Sequence, residues 1–199
     1  MSDYFGFIAE SNRTLPLYQR FSRALTEFIE SIRDSGHISV ILCGSFAANR
    51  ITEHSDLDVV LVLPDGSTRG EDFREVIVND VRVQIFAASE RDLLDSFAWE
   101  RKASCRQRTS LLAHGVYVAG AQDSAARIIS TAAIALAEPP PLLDPHSARS
   151  MLNFIENQFP DNMDRLWETS RYGFLMTWNG MMEKYFQLIH QLDGTMLPR

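Results

Sequence analysis

The sequence predicts an α+β protein: a small mixed β-sheet with helices on one face, followed by a C-terminal α-helical region. Short apolar segments with a period of two, bounded by turn residues, indicate strands, and apolar residues that recur every three or four positions indicate helices. A run of prolines at residues 139–141 precedes the last helical stretch. Because proline excludes helix and stiffens the chain, this run marks a structural boundary.

The N-terminal half of the chain predicts one helix and two strands. Apolar residues at helical spacing predict a helix over residues 15–33, and Ser35 and Gly36 end it. Residues 38–43 form the first predicted strand and residues 56–63 the second. Residues 64–67, with the sequence Pro-Asp-Gly-Ser, are predicted as a turn.

A β-hairpin and a helix follow the second strand. Residues 76–78 and 81–86 are predicted as its two strands, joined by a turn at Asn79 and Asp80. Val81, Val83 and Ile85 alternate with Arg82, Gln84 and Phe86, so the first three are predicted to be buried and the others to lie on the opposite face. Ser89 and Glu90 predict the start of a helix.

The C-terminal part reads as helical. Helices are predicted over residues 124–138, 147–158 and 162–192. An apolar stripe in the last one consists of Leu166, Tyr172, Leu175, Trp178, Met182, Tyr185 and Ile189. Such a stripe is typical of a core or a dimer interface, so a homodimer stays open. We predict two domains. The first, residues 1–122, contains the sheet, and the second, residues 123–199, is the C-terminal helical region.

Composition restricts the class of protein. The chain has 199 residues and a net charge of −7, which argues against a general polynucleotide-binding surface because such affinity comes from basic residues. The chain has two cysteines, Cys43 and Cys105, and Cys43 falls in a predicted buried strand, which argues against a disulfide scaffold. The N-terminus has no signal-peptide pattern and no apolar run is long enough to cross a membrane. These features predict a cytoplasmic protein without a membrane partner.

The most informative segment joins the first two strands. Gly44 and Ser45 form a turn after the first strand, nine residues follow, and Ser-Asp-Leu-Asp then opens the second strand. Asp56 and Asp58 point to the same face of that strand. Two adjacent carboxylates repel each other unless a cation lies between them, and oxygen ligands of this kind suit Mg²⁺. The alternative is an ordinary edge turn followed by a strand with two solvent-facing aspartates.

This pattern resembles the signature of the polymerase-beta-like nucleotidyltransferase superfamily, over roughly residues 38–88. The resemblance implies that Gly44 and Ser45 contact the phosphates of a nucleotide and that Asp56 and Asp58 hold two divalent ions, Mg²⁺ or Mn²⁺. It implies transfer of a nucleoside monophosphate, AMP from ATP being expected, to an acceptor hydroxyl. It also implies a third carboxylate on a later strand, and C-terminal helices that help to hold the acceptor.

Two positions depart from the family pattern. Asn49 stands where minimal members often have glycine, but asparagine tolerates the left-handed backbone conformation. Gln84 stands where the third carboxylate is expected; its amide oxygen can bind a cation, but the amide cannot accept a proton as a base. The nearby acidic residues are Asp80, Glu71, Asp72 and Glu75. The sequence therefore leaves two functions open, an active nucleotidyltransferase and a catalytically impaired nucleotide-binding or interaction protein.

Several cations are candidates for phosphate binding. Arg50 follows the Gly-Ser turn and Lys184 lies in the last predicted helix, and we predict both as nucleotide-binding residues. The basic cluster of Arg101, Lys102, Arg106 and Arg108 is either a triphosphate clamp or a solvated helix face. A small molecule or a protein side chain is the expected acceptor; the acidity of the chain disfavours nucleic acid and leaves it open.

Overall fold

A computed structural model describes residues 5–66, 72–102, 106–139, 145–153, 163 and 167–192. The chain forms two compact units, one of Met1–Ala98 with Arg108–Ala137 and one of Trp99–Gln107 with Glu138–Arg199. In chain order the elements are a 3₁₀ turn Glu10–Asn12, α1 Pro16–Ile32, β1 Ser39–Cys43, α2 Gly44–Ala47, β2 Leu57–Leu63, β3 Asp72–Val78, β4 Val81–Ser89, α3 Glu90–Lys102, α4 Gln107–Ala113, β5 Val116–Gly120, α5 Gln122–Ala137, α6 Pro145–Asn153 and α7 Arg171–Leu192.

The first unit contains a five-stranded mixed sheet in the order β3-β4-β2-β1-β5. β2 and β4 run parallel, and the other neighbours are antiparallel. The predicted α+β class with a mixed sheet is therefore confirmed. The sequence analysis did not predict β5, which has only five residues and follows directly on a helix and a turn.

Apolar side chains cover both faces of the sheet. On one face, Leu57 and Val83 pack with Phe21 of α1 and Phe46 of α2 in one buried cluster. On the other face, the buried residues of β1 and β2 pack with α3, α4 and α5. The prediction of helices on one face thus describes α1 and α2 alone. The second helical layer follows from Ile41, Cys43, Val60 and Val62, which make the opposite side of the central strands equally apolar.

The β3–β4 hairpin turns at the predicted residues. Asn79 and Asp80 have φ of 48° and 59°, the left-handed pair of a two-residue hairpin loop. The Asn79 side-chain amide donates a hydrogen bond of 2.7 Å to Glu27 Oε2 and so ties the hairpin to α1. At the other end of β4, the Ser89 Oγ accepts the Asp92 backbone N–H at 3.1 Å, and α3 begins where the sequence predicted it.

Helix α5 belongs to the first compact unit, and the predicted division between residues 122 and 123 stays a prediction. In the second unit, α6 begins two residues before the predicted stretch 147–158, and α7 lies within the predicted stretch 162–192. Residues 154–162 and 164–166 lie outside the described residues. Leu175, Trp178 and Tyr185 of the apolar stripe are exposed on α7. Across the described ranges, no helix has both the length and the apolar character needed to span a membrane.

Candidate functional site

A glycine brings the end of β1 against the second aspartate. Gly44 directly follows β1 and has φ of 71°, a left-handed conformation that favours glycine. A Cβ atom at this position would overlap the Asp58 Oδ2 atom. Two features therefore require glycine at position 44: the left-handed backbone conformation and the close approach of the Asp58 carboxylate.

Asp56 and Asp58 flank the first residue of β2 and project toward the same face. Leu57 and Val59 are buried against α1 and α2, so the two carboxylates emerge on the face covered by α3, α4 and α5. Both aspartates are half-buried. Burial first, and then the negative charge of Asp56, raise the pKa of Asp58 above its ordinary value. A bound cation would relieve this repulsion.

Gln84 lies beside both aspartates. It stands in register with Asp58 on the parallel neighbouring strand β4. Its amide nitrogen donates a hydrogen bond of 2.7 Å to Asp56 Oδ2. Sequence reasoning placed Gln84 at this point by the alternation of β4, and the structure brings the three side chains together.

The acidic residues named as alternatives to Gln84 are engaged elsewhere or lie in the turn. Glu75 is in register with Gln84 on β3 and forms an ion pair of 3.6 Å with Arg82. Asp72 pairs with Arg74. Asp80 lies in the hairpin turn, and Glu71 is outside the described residues. Among the side chains that the structure describes, no group of three or more His, Cys, Asp or Glu residues is arranged to hold a metal.

Cys43 lies on the opposite side of Asp58 from Gln84. It is in register with Asp58 on β1 and is fully buried. Burial and then the charge of Asp58 raise the pKa of the Cys43 thiol. The thiol is therefore neutral at physiological pH, and it is not a nucleophile because only the thiolate attacks.

Asn49 fixes the end of the Gly-Ser segment. Its φ of 57° confirms that asparagine adopts the left-handed conformation at this position. The Asn49 Oδ1 accepts the Ala9 backbone N–H at 2.9 Å, and its Nδ2 donates to the Phe7 carbonyl at 2.8 Å. These two bonds, which glycine could not form, join the N-terminal segment to the end of α2. Sequence reasoning missed them because about forty residues separate the partners.

The basic cluster of the sequence divides into two parts. In the second unit, Arg101 forms an ion pair of 2.8 Å with Glu138, and the Arg106 guanidinium donates to the Glu138 carbonyl at 2.6 Å. Arg106 is buried, and burial is the main cause that lowers its pKa. Arg101 and Arg106 thus both contact Glu138. Because Arg106 is buried, it does not belong to a solvated helix face.

Arg108 lies instead in the first unit, on the face that carries the aspartates. Its guanidinium carbon is 4.6 Å from the centre of the Phe86 ring. Phe86 points to the same face as Gln84 because the two are separated by two strand positions, about 7 Å along β4. The cation–π contact therefore holds a guanidinium above the sheet next to the position of Gln84.

The remaining predicted cations have different positions. Arg50 is exposed, and its backbone N–H donates to the Ser45 carbonyl at 2.8 Å, which closes the turn after α2. Ser45 is half-buried beside Gly44. Lys184 belongs to α7 in the second unit, and its side chain lies outside the described residues. Its assignment to the nucleotide site stays a prediction.

The central segment matches one protein family. Residues 25–114 match the nucleotidyltransferase domain. The resemblance predicted from the Gly-Ser turn and the Asp pair is confirmed over this segment. The matched segment contains Gly44, Asp56, Asp58 and Gln84.

A crystal structure of a nucleotidyltransferase-like protein from Exiguobacterium sibiricum is similar with a TM-score of 0.47 and 11% sequence identity. The alignment covers 89% of this chain and 59% of that chain, so this chain spans less than two thirds of that protein's length. No curated protein matches the chain by sequence.

The side chains of this candidate site fit a divalent cation. Asp56 and Asp58 supply carboxylate oxygens on one face, and Gly44 leaves the space that the Asp58 carboxylate occupies. Oxygen donors of this kind bind Mg²⁺ together with substrate phosphates. Burial and then the charge of Asp56 raise the pKa of Asp58, and a bound cation would offset the repulsion between the two carboxylates.

Proposed function

We propose that this protein transfers AMP from ATP to a hydroxyl group of a small-molecule or protein acceptor. The observation that carries the proposal is the pair of half-buried carboxylates, Asp56 and Asp58, beside the glycine turn. The nucleotidyltransferase domain match supports nucleotidyl transfer in general. ATP as the nucleotide, Mg²⁺ as the ion and the class of acceptor belong to the proposal.

In the proposed reaction the acceptor oxygen attacks the α-phosphorus of ATP in line with the leaving group. The bond between the acceptor oxygen and phosphorus forms while the bond from the α-phosphorus to the bridging oxygen breaks. Pyrophosphate leaves with the bonding electron pair, and the hydroxyl proton passes to water. The products are the adenylylated acceptor and pyrophosphate. Such transfers depend mainly on positioning and charge neutralisation, so a protein base contributes only part of the rate.

The residues have distinct roles in this proposal. Asp56 and Asp58 would hold Mg²⁺, which when bound neutralises phosphate charge and orients the acceptor oxygen. Gly44 lets the Asp58 carboxylate approach the turn, and Gln84 orients Asp56 through its hydrogen bond. The phosphate contacts are assigned to Ser45, Arg50, Lys184 and Arg108.

A second function is favoured by one observation, the amide at position 84. Gln84 cannot take a proton from the acceptor, and Glu75 and Asp72 on the neighbouring strand are engaged in ion pairs with arginines. A protein that binds a nucleotide without turnover would retain the Asp pair and the glycine turn. This alternative predicts nucleotide binding without pyrophosphate release.

Pyrophosphate release separates the two functions. The protein is incubated with ATP and Mg²⁺ and a panel of acceptors, with aminoglycoside-like alcohols and hydroxyl-bearing proteins as the two classes. We expect release that depends on one acceptor class and falls about a hundredfold or more in Asp58→Asn, because a cation ligand contributes several kcal/mol. Asp95→Asn is the matched control, since Asp95 is an exposed aspartate on α3 that forms an ion pair with Arg91.

Two separate results would contradict parts of the proposed AMP transfer. Equal release by Asp58→Asn and by the unaltered protein would remove Asp58 from the site. ATP binding without release, in the presence of every acceptor, would favour the binding protein.

A further inference from the structure

Gln84 presents a hydrogen-bond donor where a third metal ligand is expected. Its amide nitrogen is 2.7 Å from Asp56 Oδ2, and its backbone is in register with Asp58. A glutamine in this orientation satisfies one carboxylate oxygen with an N–H group. The same oxygen is then less available to a cation than it would be beside a third carboxylate.

The charge of the site follows from this arrangement. The two half-buried carboxylates supply a formal charge of −2, and the amide adds none. One divalent cation neutralises that charge completely. A second cation, bound before the nucleotide arrives, would leave a net positive charge in a partly buried site, where an uncompensated charge is costly.

We propose that the free protein binds a single divalent cation at Asp56 and Asp58 because residue 84 is a neutral amide and not a third carboxylate, and that Gln84 is the positioning residue for the Asp56 carboxylate. The inference rests on the proposed function, because it concerns the same cation site. The Gln84 amide donates to one Asp56 oxygen and so holds the carboxylate in place, with its other oxygen available to the cation. Any second cation then arrives with the triphosphate, whose own oxygens bind it.

Counting bound ions tests the inference without using activity. Mn²⁺ is titrated into the full chain, without nucleotide, and free Mn²⁺ is measured by electron paramagnetic resonance. We expect one bound ion in the unaltered protein. Gln84→Glu should bind a second ion, more weakly than the first, since a third carboxylate adds ligand oxygens and reduces the net positive charge that two ions leave.

Gln84→Met is the matched control because it keeps the length of the side chain and removes the donor without adding charge. It should still bind one ion, with affinity about tenfold weaker, as expected when a group that orients a metal ligand is lost. Circular dichroism with and without Mn²⁺ shows whether each variant is folded. If Gln84→Glu does not fold, the unaltered protein and Gln84→Met still decide the question.

Two bound ions in the unaltered protein would overturn the inference, as would an unchanged affinity in Gln84→Met or the absence of any bound ion. Pyrophosphate release, measured in parallel, distinguishes these failures from failure of the proposed function. Release together with two bound ions would refute the single-ion inference and leave nucleotidyl transfer intact. Absence of both ion binding and release would refute both.

Discussion

At the residue scale, the properties of Asp58 arise from its neighbours on three segments. Gly44 leaves room for its carboxylate, Cys43 on β1 covers one side, and Gln84 on β4 stands at the other. Asp56 adds a second negative charge. The half-buried Asp58 carboxylate lies next to a like charge, and this arrangement lowers the stability of the free protein. A cation bound between the two carboxylates would offset that cost.

The pH dependence of stability follows from the raised pKa of Asp58. Between its ordinary pKa of 3.8 and the higher folded value, the folded protein binds more protons than the unfolded chain. The contribution of Asp58 to stability is therefore present at low pH and is lost as the pH rises through that window. In a chelator, we expect Asp58→Asn to be more stable than the unaltered protein at neutral pH.

Urea denaturation at neutral pH and near pH 3.8 measures this difference. The difference in unfolding free energy between Asp58→Asn and the unaltered protein should be smaller near pH 3.8 than at neutral pH. Added Mg²⁺ should reverse the sign of this difference, since the cation binds only the carboxylate form. Asp95→Asn, on the surface of α3, should show neither effect. A stabilisation by Asp58→Asn that is the same at both pH values would contradict the assigned cause.

Arg108 offers a second test at this scale. If its guanidinium contacts the triphosphate, Arg108→Gln should raise the KM for ATP about tenfold to a hundredfold, the loss expected for a charge-assisted hydrogen bond. Arg108→Lys keeps the charge and loses the planar contact with Phe86, so its KM should lie between those of Arg108→Gln and the unaltered protein. Arg91→Gln, an exposed arginine on α3, is the control. Equal KM values for all four proteins would remove Arg108 from the nucleotide site.

At the scale of elements, the N-terminal segment and α2 form one structure around the glycine turn. Phe7 packs edge-on against Phe46 of α2 with ring centres 5.5 Å apart, and the Asn49 side chain bonds to the backbone of Phe7 and Ala9. The turn that carries Gly44 is thus held from outside as well as by its own backbone. The position of this turn therefore depends on contacts with Phe7 and Ala9.

Two substitutions of Asn49 separate its side chain from its backbone conformation. Asn49→Gly keeps the left-handed φ and loses both hydrogen bonds, so we expect a loss of about 1–2 kcal/mol in the free energy of unfolding. Asn49→Ala also incurs the left-handed backbone cost of roughly 1–2 kcal/mol and should be the less stable variant. Urea denaturation gives both values. A glycine variant as stable as the unaltered protein would show that the two bonds contribute nothing.

The elements also show which features the sequence could predict. The Gly-Ser turn, the Asp pair and the hairpin turn are encoded by residues close together, whose conformations depend on local geometry. The Asn49 bonds to Phe7 and Ala9 and the contact between Arg108 and Phe86 join residues far apart in the chain. Arg106 and Arg108 are near neighbours in sequence, yet they belong to different units, which periodicity could not reveal.

At the scale of the whole molecule, the described side chains of the proposed site all belong to the first unit. Gly44, Asp56, Asp58, Gln84 and Arg108 lie within its two segments. A ligand that binds only the folded state stabilises the unit it contacts, by about 2.7 kcal/mol at a hundred times its Kd. Hydrogen exchange resolves such stabilisation by region, since amides that exchange only through unfolding of a unit report its stability.

We therefore expect ATP analogue and Mg²⁺ to slow exchange in β1, β2 and β4, by up to about a hundredfold at a hundred times Kd. The measurement is mass spectrometry of the full chain, with Asp58→Asn as the control in which protection should disappear. Participation of Lys184 requires protection of α7 as well, and its absence there would remove Lys184 from the site. Protection confined to α6 and α7 would place the nucleotide away from the Asp pair and refute the proposed site, because each strand that holds a carboxylate or Gln84 would then be unaffected.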